Sequence, residues 1–148
     1  MTNKLTAEAS TSIGATKRQV WEALVSPDAI MQYMFGADVD SDWREGSAIT
    51  WKGEFKGKKY EDKGVILKID PEKTLQYSYF SPLSGKPDKP EKYHTVTIKL
   101  SSTGSKTEVT LLRDNNADEA ARKESEKNWG GMLEGLKKYV EKSAKAAA

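Results

Sequence analysis

The 148-residue chain contains no cysteine, an absence that removes disulfides, thiolate nucleophiles and cysteine-ligated metals in one step. A single histidine, His94, excludes any metal site with two or more imidazole ligands from one chain, and neither a metal nor a cofactor is expected. Excess charge of either sign is missing as well. The 24 basic and 22 acidic groups are interspersed and leave a net charge of +2, so a nucleic-acid partner, which depends on a concentrated basic face, is not expected. The densest basic stretch, Lys56-Gly57-Lys58-Lys59, reads as a solvated hairpin tip. No apolar run comes near the roughly 18 residues that a membrane span requires. Met1 to Ser10 lacks the apolar stretch of a signal peptide, and a cysteine-free chain suits a reducing compartment, so a cytoplasmic location is expected.

What is present suffices for one domain, residues 1–148, able to bury about two thirds of its unfolded surface. The last third reads as a long helix: Trp129, Met132, Leu133, Leu136, Tyr139 and Val140 recur at helical spacing and form one apolar stripe. Asn116-Ala117-Asp118-Glu119 supplies its cap and acidic first turn. Glu119/Lys123, Glu134/Lys138 and Glu141/Lys145 are spaced for pairing on its outer side, and residues 143–148 are expected to fray. Gly130, Gly131 and Gly135 each cost about 1 kcal/mol against alanine in a helix interior. That cost predicts another surface, sheet or ligand, closer to this helix than a methyl group permits.

Ahead of this helix, Lys4 to Ile13 reads as a strand with Leu5, Ala7, Ala9, Thr11 and Ile13 on one face. Thr16-Lys17-Arg18-Gln19 has the spacing of a capping box, and Ser26-Pro27 ends that first short helix and starts a second, Asp28 to Met34, closed by Gly36. From Asp38 to Asp114 the pattern has period two. Ile49, Trp51, Gly53 and Phe55 share a face, and a four-residue loop around Gly57 would set Phe55 opposite Tyr60. Val65, Leu67 and Ile69 have the opposite parity to Tyr60 and Asp62, which predicts a bulge near Gly64. Leu75, Tyr77 and Tyr79 continue the inner face. Ser81 to Lys92, with three prolines and a glycine, reads as a long exposed connection. The inner rows His94, Val96, Ile98, Leu100 and Val109, Leu111, Arg113 complete an antiparallel meander of six or seven strands.

The fold class is therefore α+β. A sheet with one apolar face must cover it, and the only long element available is the terminal helix, around which the sheet should curve. A gap between the two is expected along the first half of the helix, because Ser125, Arg122 and Ala121 are too small or too polar for a tight core.

Few motifs carry chemistry. Asp38, Asp40 and Asp42 resemble the opening of a calcium loop, but Trp43 and Ile49 stand where glycine and a bidentate glutamate are required. Gly53 to Lys59 lacks both the spacing and the terminal hydroxyl of a phosphate-binding loop. His94 falls on the inner face at a strand end, open to a structural hydrogen-bonded role or to that of a base. Arg113, in the innermost row, either reaches solvent or needs an anion from Asp62 or from a ligand. The aromatic residues Trp51, Phe55, Tyr60, Tyr77, Tyr79 and Trp129 converge on one interior, as an ordinary core or as the wall of a cavity.

Taken in order, Thr16 to Leu24, the Ser26-Pro27 corner, Trp43-Arg44-Glu45-Gly46-Ser47, Pro71-Glu72-Lys73-Thr74-Leu75 and Asn128-Trp129-Gly130-Gly131-Met132-Leu133 resemble the START-like (helix-grip, SRPBCC) superfamily. More narrowly they are similar to its branch of homologues of the activator of heat shock protein 90 ATPase. The resemblance implies a helix-grip fold with a cavity for hydrophobic molecules. The corner Tyr33-Met34-Phe35 departs from the tryptophan pair common in the family, which alters the expected pocket mouth. The leading expectation is a non-enzymatic protein holding a small hydrophobic or amphipathic ligand between sheet and helix. Trp51, Tyr77, Tyr79, Trp129 and Met132 would form the walls, Phe55, Tyr60 and Ser125 would add to them, and His94 and Arg113 would be polar anchors. The alternatives are a polyketide cyclase or aromatase, with His94 or a tyrosine moving protons, and a co-chaperone contacting heat shock protein 90.

Overall fold

The structure, a computed structural model, describes residues 5–34, 36–55, 57–81, 89, 92–116 and 118–147, with the side chains of residues 55 and 144–147 outside that description. In chain order the elements are β1 (Leu5–Ile13), α1 (Lys17–Leu24), α2 (Pro27–Tyr33), β2 (Asp38–Ser41), β3 (Ala48–Phe55), β4 (Lys58–Asp70), β5 (Thr74–Tyr79), β6 (His94–Thr103), β7 (Lys106–Asn116) and α3 (Glu119–Ala147). The strands form one seven-stranded antiparallel sheet in the order β1-β7-β6-β5-β4-β3-β2, curved around α3. Among the described residues no helix is long and apolar enough to cross a membrane. Most of the Ser81 to Lys92 connection, together with Phe35 at the expected pocket mouth, falls outside the described residues.

Local chemistry fixes the helix starts. In α1 the Thr16 Oγ1 accepts from the Gln19 N–H at 3.1 Å while the Gln19 Oε1 accepts from the Thr16 N–H at 3.0 Å, a reciprocal cap. Ser26 Oγ caps α2 by accepting from the Ala29 N–H, and Pro27 takes the first helical position. For α3 the cap is Asp118, whose Oδ1 accepts from the Ala121 N–H at 2.8 Å. Asn116, expected near that cap, instead ends β7 with its side chain buried.

The register corrects two expectations. Phe55 pairs with Lys58 and Gly53 with Tyr60, because Gly57 at φ 80° closes a two-residue turn in place of the expected four-residue loop. Tyr60 covers the bare Gly53: its hydroxyl lies 2.6 Å from where a Cβ would stand. On β4 the inward residues are Asp62, Gly64 and Ile66, whereas Val65 and Leu67 are 39% and 45% exposed. The β4–β5 register shifts between Ile66 and Lys68, so the bulge lies beyond Gly64 and only then turns Ile69 inward.

The core sits between the inner sheet face and the α3 stripe, where Met132, Leu133, Leu136 and Val140 are buried and Trp129 and Tyr139 half-buried. Among the described residues, Gly135 is the one helix glycine whose missing Cβ would meet a neighbour, the Tyr33 Cβ and carbonyl on α2 at 3.4 Å. Gly130 and Gly131 have nothing within 4 Å of the place a methyl would take among the described residues, so neither the sheet nor a neighbouring helix is the close surface expected at that pair. Outward, Arg122 pairs with Glu119 and, at 2.7 Å, with Glu126, in place of the expected Glu119/Lys123 pair. The hydrogen bond from Arg122 holds the Glu119 carboxyl below the usual carboxylate range.

Three α3 glutamates turn toward the edge strand β1. The Glu8 N–H donates to Glu126 at 3.1 Å, the Thr11 hydroxyl to Glu134 at 3.4 Å and the Gly14 N–H to Glu141 at 2.7 Å. An edge strand presents unpaired amides, and the helix supplies two of them with acceptors.

Candidate ligand site between sheet and terminal helix

The inner face of β3, β4 and β5 gathers the aromatic candidates. Trp51 pairs across the ladder with Asp62, and its ring lies 5.1 Å from that of Tyr77 and 5.3 Å from that of Tyr79, the latter edge-on. Such tilted contacts are favoured by the ring quadrupoles.

Trp51 and Tyr77 help line a partly enclosed cavity of about 20 Å³, together with Met132 of α3 and, on the corner side, Tyr33, Met34 and Trp43. That volume is room for about one water molecule. The space expected beside the first half of α3 is occupied differently. There Arg113 Nη1 donates to Ser125 Oγ and, at 3.0 Å, to Asn116 Oδ1, while Ser125 Oγ donates to Asn116 Oδ1 at 2.9 Å. Asn116 Nδ2 in turn donates to the carbonyls of Leu5 and Arg113, both at 3.0 Å. Of the residues that suggested a gap on sequence grounds, Ser125 belongs to this network, whereas Arg122 pairs outward with Glu119 and Glu126.

Burial raises the interior phenols. The Tyr77 and Tyr79 phenols are pushed well above their ordinary value by loss of water, and Tyr79 further by Asp62, to whose Oδ2 it donates a hydrogen bond. Tyr33 is raised for the same reason, with its hydroxyl donating to the Ala23 carbonyl at 2.9 Å. Burial lowers the Arg113 guanidinium, opposed by Tyr79, Asp114 and Tyr77. Phenols held neutral in this way donate hydrogen bonds and are poor bases. Two buried polar atoms, Asp62 Oδ1 and Arg113 Nε, have no hydrogen-bond partner among the described residues. No ion pair joins Asp62 to Arg113 among those residues; the guanidinium meets the neutral acceptors Asn116 and Ser125.

His94 pairs with Tyr79 in the ladder, and its Nδ1 contacts the Asp114 carbonyl at 2.9 Å, a tie to the neighbouring strand. Trp129 packs half-buried against the core. Tyr60 does not join the aromatic interior: it stands over Gly53 beside an open groove with Asp38 and Lys52. The side chain of Phe55 lies outside the described residues. Trp43 and Met34 were not named as ligand-binding residues in the sequence, although Trp43 belongs to one of the motifs that carried the resemblance and Met34 to the corner read as altering the pocket mouth. Among the described residues no group of three or more His, Asp or Glu side chains gathers to hold a metal ion.

With this geometry in place, the sequence profile described as "Activator of Hsp90 ATPase homolog 1-like protein" matches residues 14–141. The chain belongs to that family. A solution structure of ChR145 from Cytophaga hutchinsonii is 56% identical, with a TM-score of 0.84 over 98% of this chain and 99% of that one. Two more distant family-like folds are CalU16 from Micromonospora echinospora and the Aha1 dimer from Colwellia psychrerythraea. CalU16 is 21% identical at a TM-score of 0.71, covering 93% of this chain and 85% of its own. The Aha1 dimer is 19% identical at 0.71, covering 92% and 96%. At these identities the likeness is one of fold. No curated protein matches the chain. The family assignment agrees with the resemblance read from the ordered motifs, and with it the helix-grip architecture.

Proposed function

We propose that this protein binds a small hydrophobic or amphipathic molecule between its sheet and α3 and performs no chemistry on it, acting in the cytoplasm. The observation that carries the reading is the aromatic and thioether wall of Trp51, Tyr77 and Met132 around a partly enclosed space in a family built on this fold. The titratable groups on that wall, Tyr33 and Tyr77, are held as neutral phenols, which suits orientation of a guest better than proton transfer.

A space of about 20 Å³ holds no guest larger than water, so binding requires the wall to part. Met34 and Trp43 are the half-exposed members of the lining and form its outer rim. Trp43 has φ 56°, a conformation that costs a bulky residue energy, and it is pinned by its N–H donating to Ser41 Oγ at 3.0 Å. Movement of this rim is the route of access. Apparent affinity is then the intrinsic affinity reduced by the fraction of molecules with the rim open.

Native mass spectrometry and ligand-induced shifts in melting temperature, against lipid and aromatic libraries, test the reading. Wild type should show a retained ligand or a shift, and Met34→Ala, which removes part of the rim, should bind the same compound more tightly. No shift for any compound with either protein would overturn it.

A further inference from the structure

One corner of the molecule carries charge of a single sign. Between Arg18 and Arg44 the charged side chains are Glu22, Asp28, Asp38, Asp40 and Asp42, and all 24 lysines and arginines lie outside that stretch. It forms most of α1 and the whole of α2 and β2, an acidic region in a chain whose net charge is +2. Two cations at its border answer part of it. Arg44 Nη2 lies 3.9 Å from Asp42 Oδ2, and Lys52 stands opposite Asp38 in the ladder. Asp28 and Asp40 are exposed and form no ion pair among the described residues.

Apolar side chains stand in the same corner. Met31 is 43% exposed, and Met34, three residues on and therefore on the same side of the helix, is half-exposed. Met34 and the half-exposed Trp43 together form the outer rim of the cavity. The chain turns directly from Met34 toward β2, with the Gly36 N–H donating to the Met31 carbonyl at 3.0 Å and the Ala37 N–H to the Met34 carbonyl at 3.1 Å, so the β2 aspartates follow within a few residues. β2 is the last strand of the sheet, and no further strand lies beyond it.

This surface is apolar with acids beside it, and the acids decide what it can receive. An anionic lipid surface is repelled, and a second copy of the chain would set aspartate against aspartate. A basic segment with one apolar face answers both parts. Methionines adapt to the shape of such a segment, and a tryptophan is a common anchor for one.

We propose that the α2–β2 corner docks a basic amphipathic segment of a partner protein, with the segment's apolar face on Met31, Met34 and Trp43 and its lysines or arginines toward Asp28 and Asp40. The segment lies against the outside of the rim and needs no guest in the cavity, so the inference stands apart from the ligand-binding reading.

The four methionines make the test specific, because Met31 and Met34 belong to this corner, Met132 lines the cavity and Met1 begins the chain. Protein isotope-labelled at its methionine methyls is titrated with a short helical peptide of leucine and lysine on opposite faces, with the same peptide carrying glutamate for lysine, and with a leucine and lysine peptide scrambled to have no apolar face. The Met31 and Met34 signals should move with the first peptide while Met132 stays. Affinity should exceed that for either control by about tenfold or more and fall as salt is raised. Asp28→Asn combined with Asp40→Asn should weaken binding about three- to tenfold, and Met31→Ser by about threefold or more. Glu108→Gln combined with Glu124→Gln, on β7 and α3, should leave it within about twofold. All five positions are exposed or half-exposed, and circular dichroism checks the fold of each variant. Absence of binding, equal binding of the glutamate peptide, or indifference to the Asp28 and Asp40 changes would overturn the proposal. So would Met31 and Met34 signals that move with protein concentration alone, the mark of self-association, or tighter binding to phosphatidylserine vesicles than to the peptide. Movement of Met132 alone would overturn it too, by placing the peptide's leucines in the cavity, and would leave ligand binding intact. Failure of every library compound would instead remove the ligand-binding reading and leave this one standing.

Discussion

Gly64 faces the carbonyl of Ser78 so closely that a Cβ added to it would stand 1.7 Å from that oxygen. The neighbouring Val65 N–H donates to the Ser78 hydroxyl at 2.9 Å, so β5 is tied down at the point where it would have to retreat. Gly64→Ala is expected to cost about 3 kcal/mol or more, at the upper end of what overpacking usually costs, because backbone and not a flexible side chain must give way. Urea unfolding followed by tryptophan emission checks this; a cost under about 1 kcal/mol would show that the two strands slide apart freely.

The glycine pair in α3 should behave in the opposite way. Gly130 and Gly131 have open space where a methyl would go, so Gly130→Ala and Gly131→Ala should each stabilise by roughly 0.5 to 1 kcal/mol through helix propensity alone. For a chain of this size that is a rise of about 2 to 4 °C per kcal/mol, measurable by calorimetry. Gly135→Ala, in contact with Tyr33, should gain less.

This contrast shows what the sequence could and could not reveal. The glycines were visible as costs, yet a cost does not name the neighbour responsible, and only in three dimensions does Gly64 prove crowded and Gly130 unconfined. Strands, caps and the α3 stripe were legible because each is set by spacing within a few residues, as in Thr16 with Gln19. Turn length at Gly57 and the bulge after Ile66 were not, since parity reports that a register changes without saying where. For the site, Trp51, Tyr77 and Met132 were legible as inward apolar positions. The partnership of Arg113 with Asn116 and Ser125 was not, because it joins a strand end to a helix turn through three side chains, each of which had a simpler local explanation.

Alkaline solution should expose the buried phenols. Tyr33, Tyr77 and Tyr79 have raised values in the folded chain and an ordinary value near about 10 when unfolded. Below about pH 10 both states keep their protons, and no pH dependence arises from these groups. Above it the unfolded chain loses protons that the folded chain retains, so stability falls by about 1.4 kcal/mol per pH unit for each tyrosine, about 4 for the three. Denaturant midpoints should be insensitive to these groups at pH 9 and approach that slope between about pH 10 and 12, and Tyr77→Phe should lower it by about a third. A midpoint independent of pH would contradict burial of these hydroxyls.

The carboxylates that α3 lends to β1 make a separate prediction. Glu141→Ala leaves the Gly14 amide without its acceptor and should destabilise by about 0.5 to 1.5 kcal/mol, with faster hydrogen exchange at Gly14 and little change on the far side of the sheet. Glu126→Ala should act likewise at Glu8. Unchanged exchange at both amides would mean that solvent already serves them.

The union of β1 with β7 and α3 also bears on how the protein is made. The first strand leaves the ribosome about 100 residues before its strand partner and still longer before the glutamates that cover it. At roughly 5 to 20 residues per second it waits some 5 to 20 seconds as an unpaired ribbon during translation. The nascent chain thus holds β1 open until β7 and α3 have been made, and the later turns of α3 act as the latch that ends this interval.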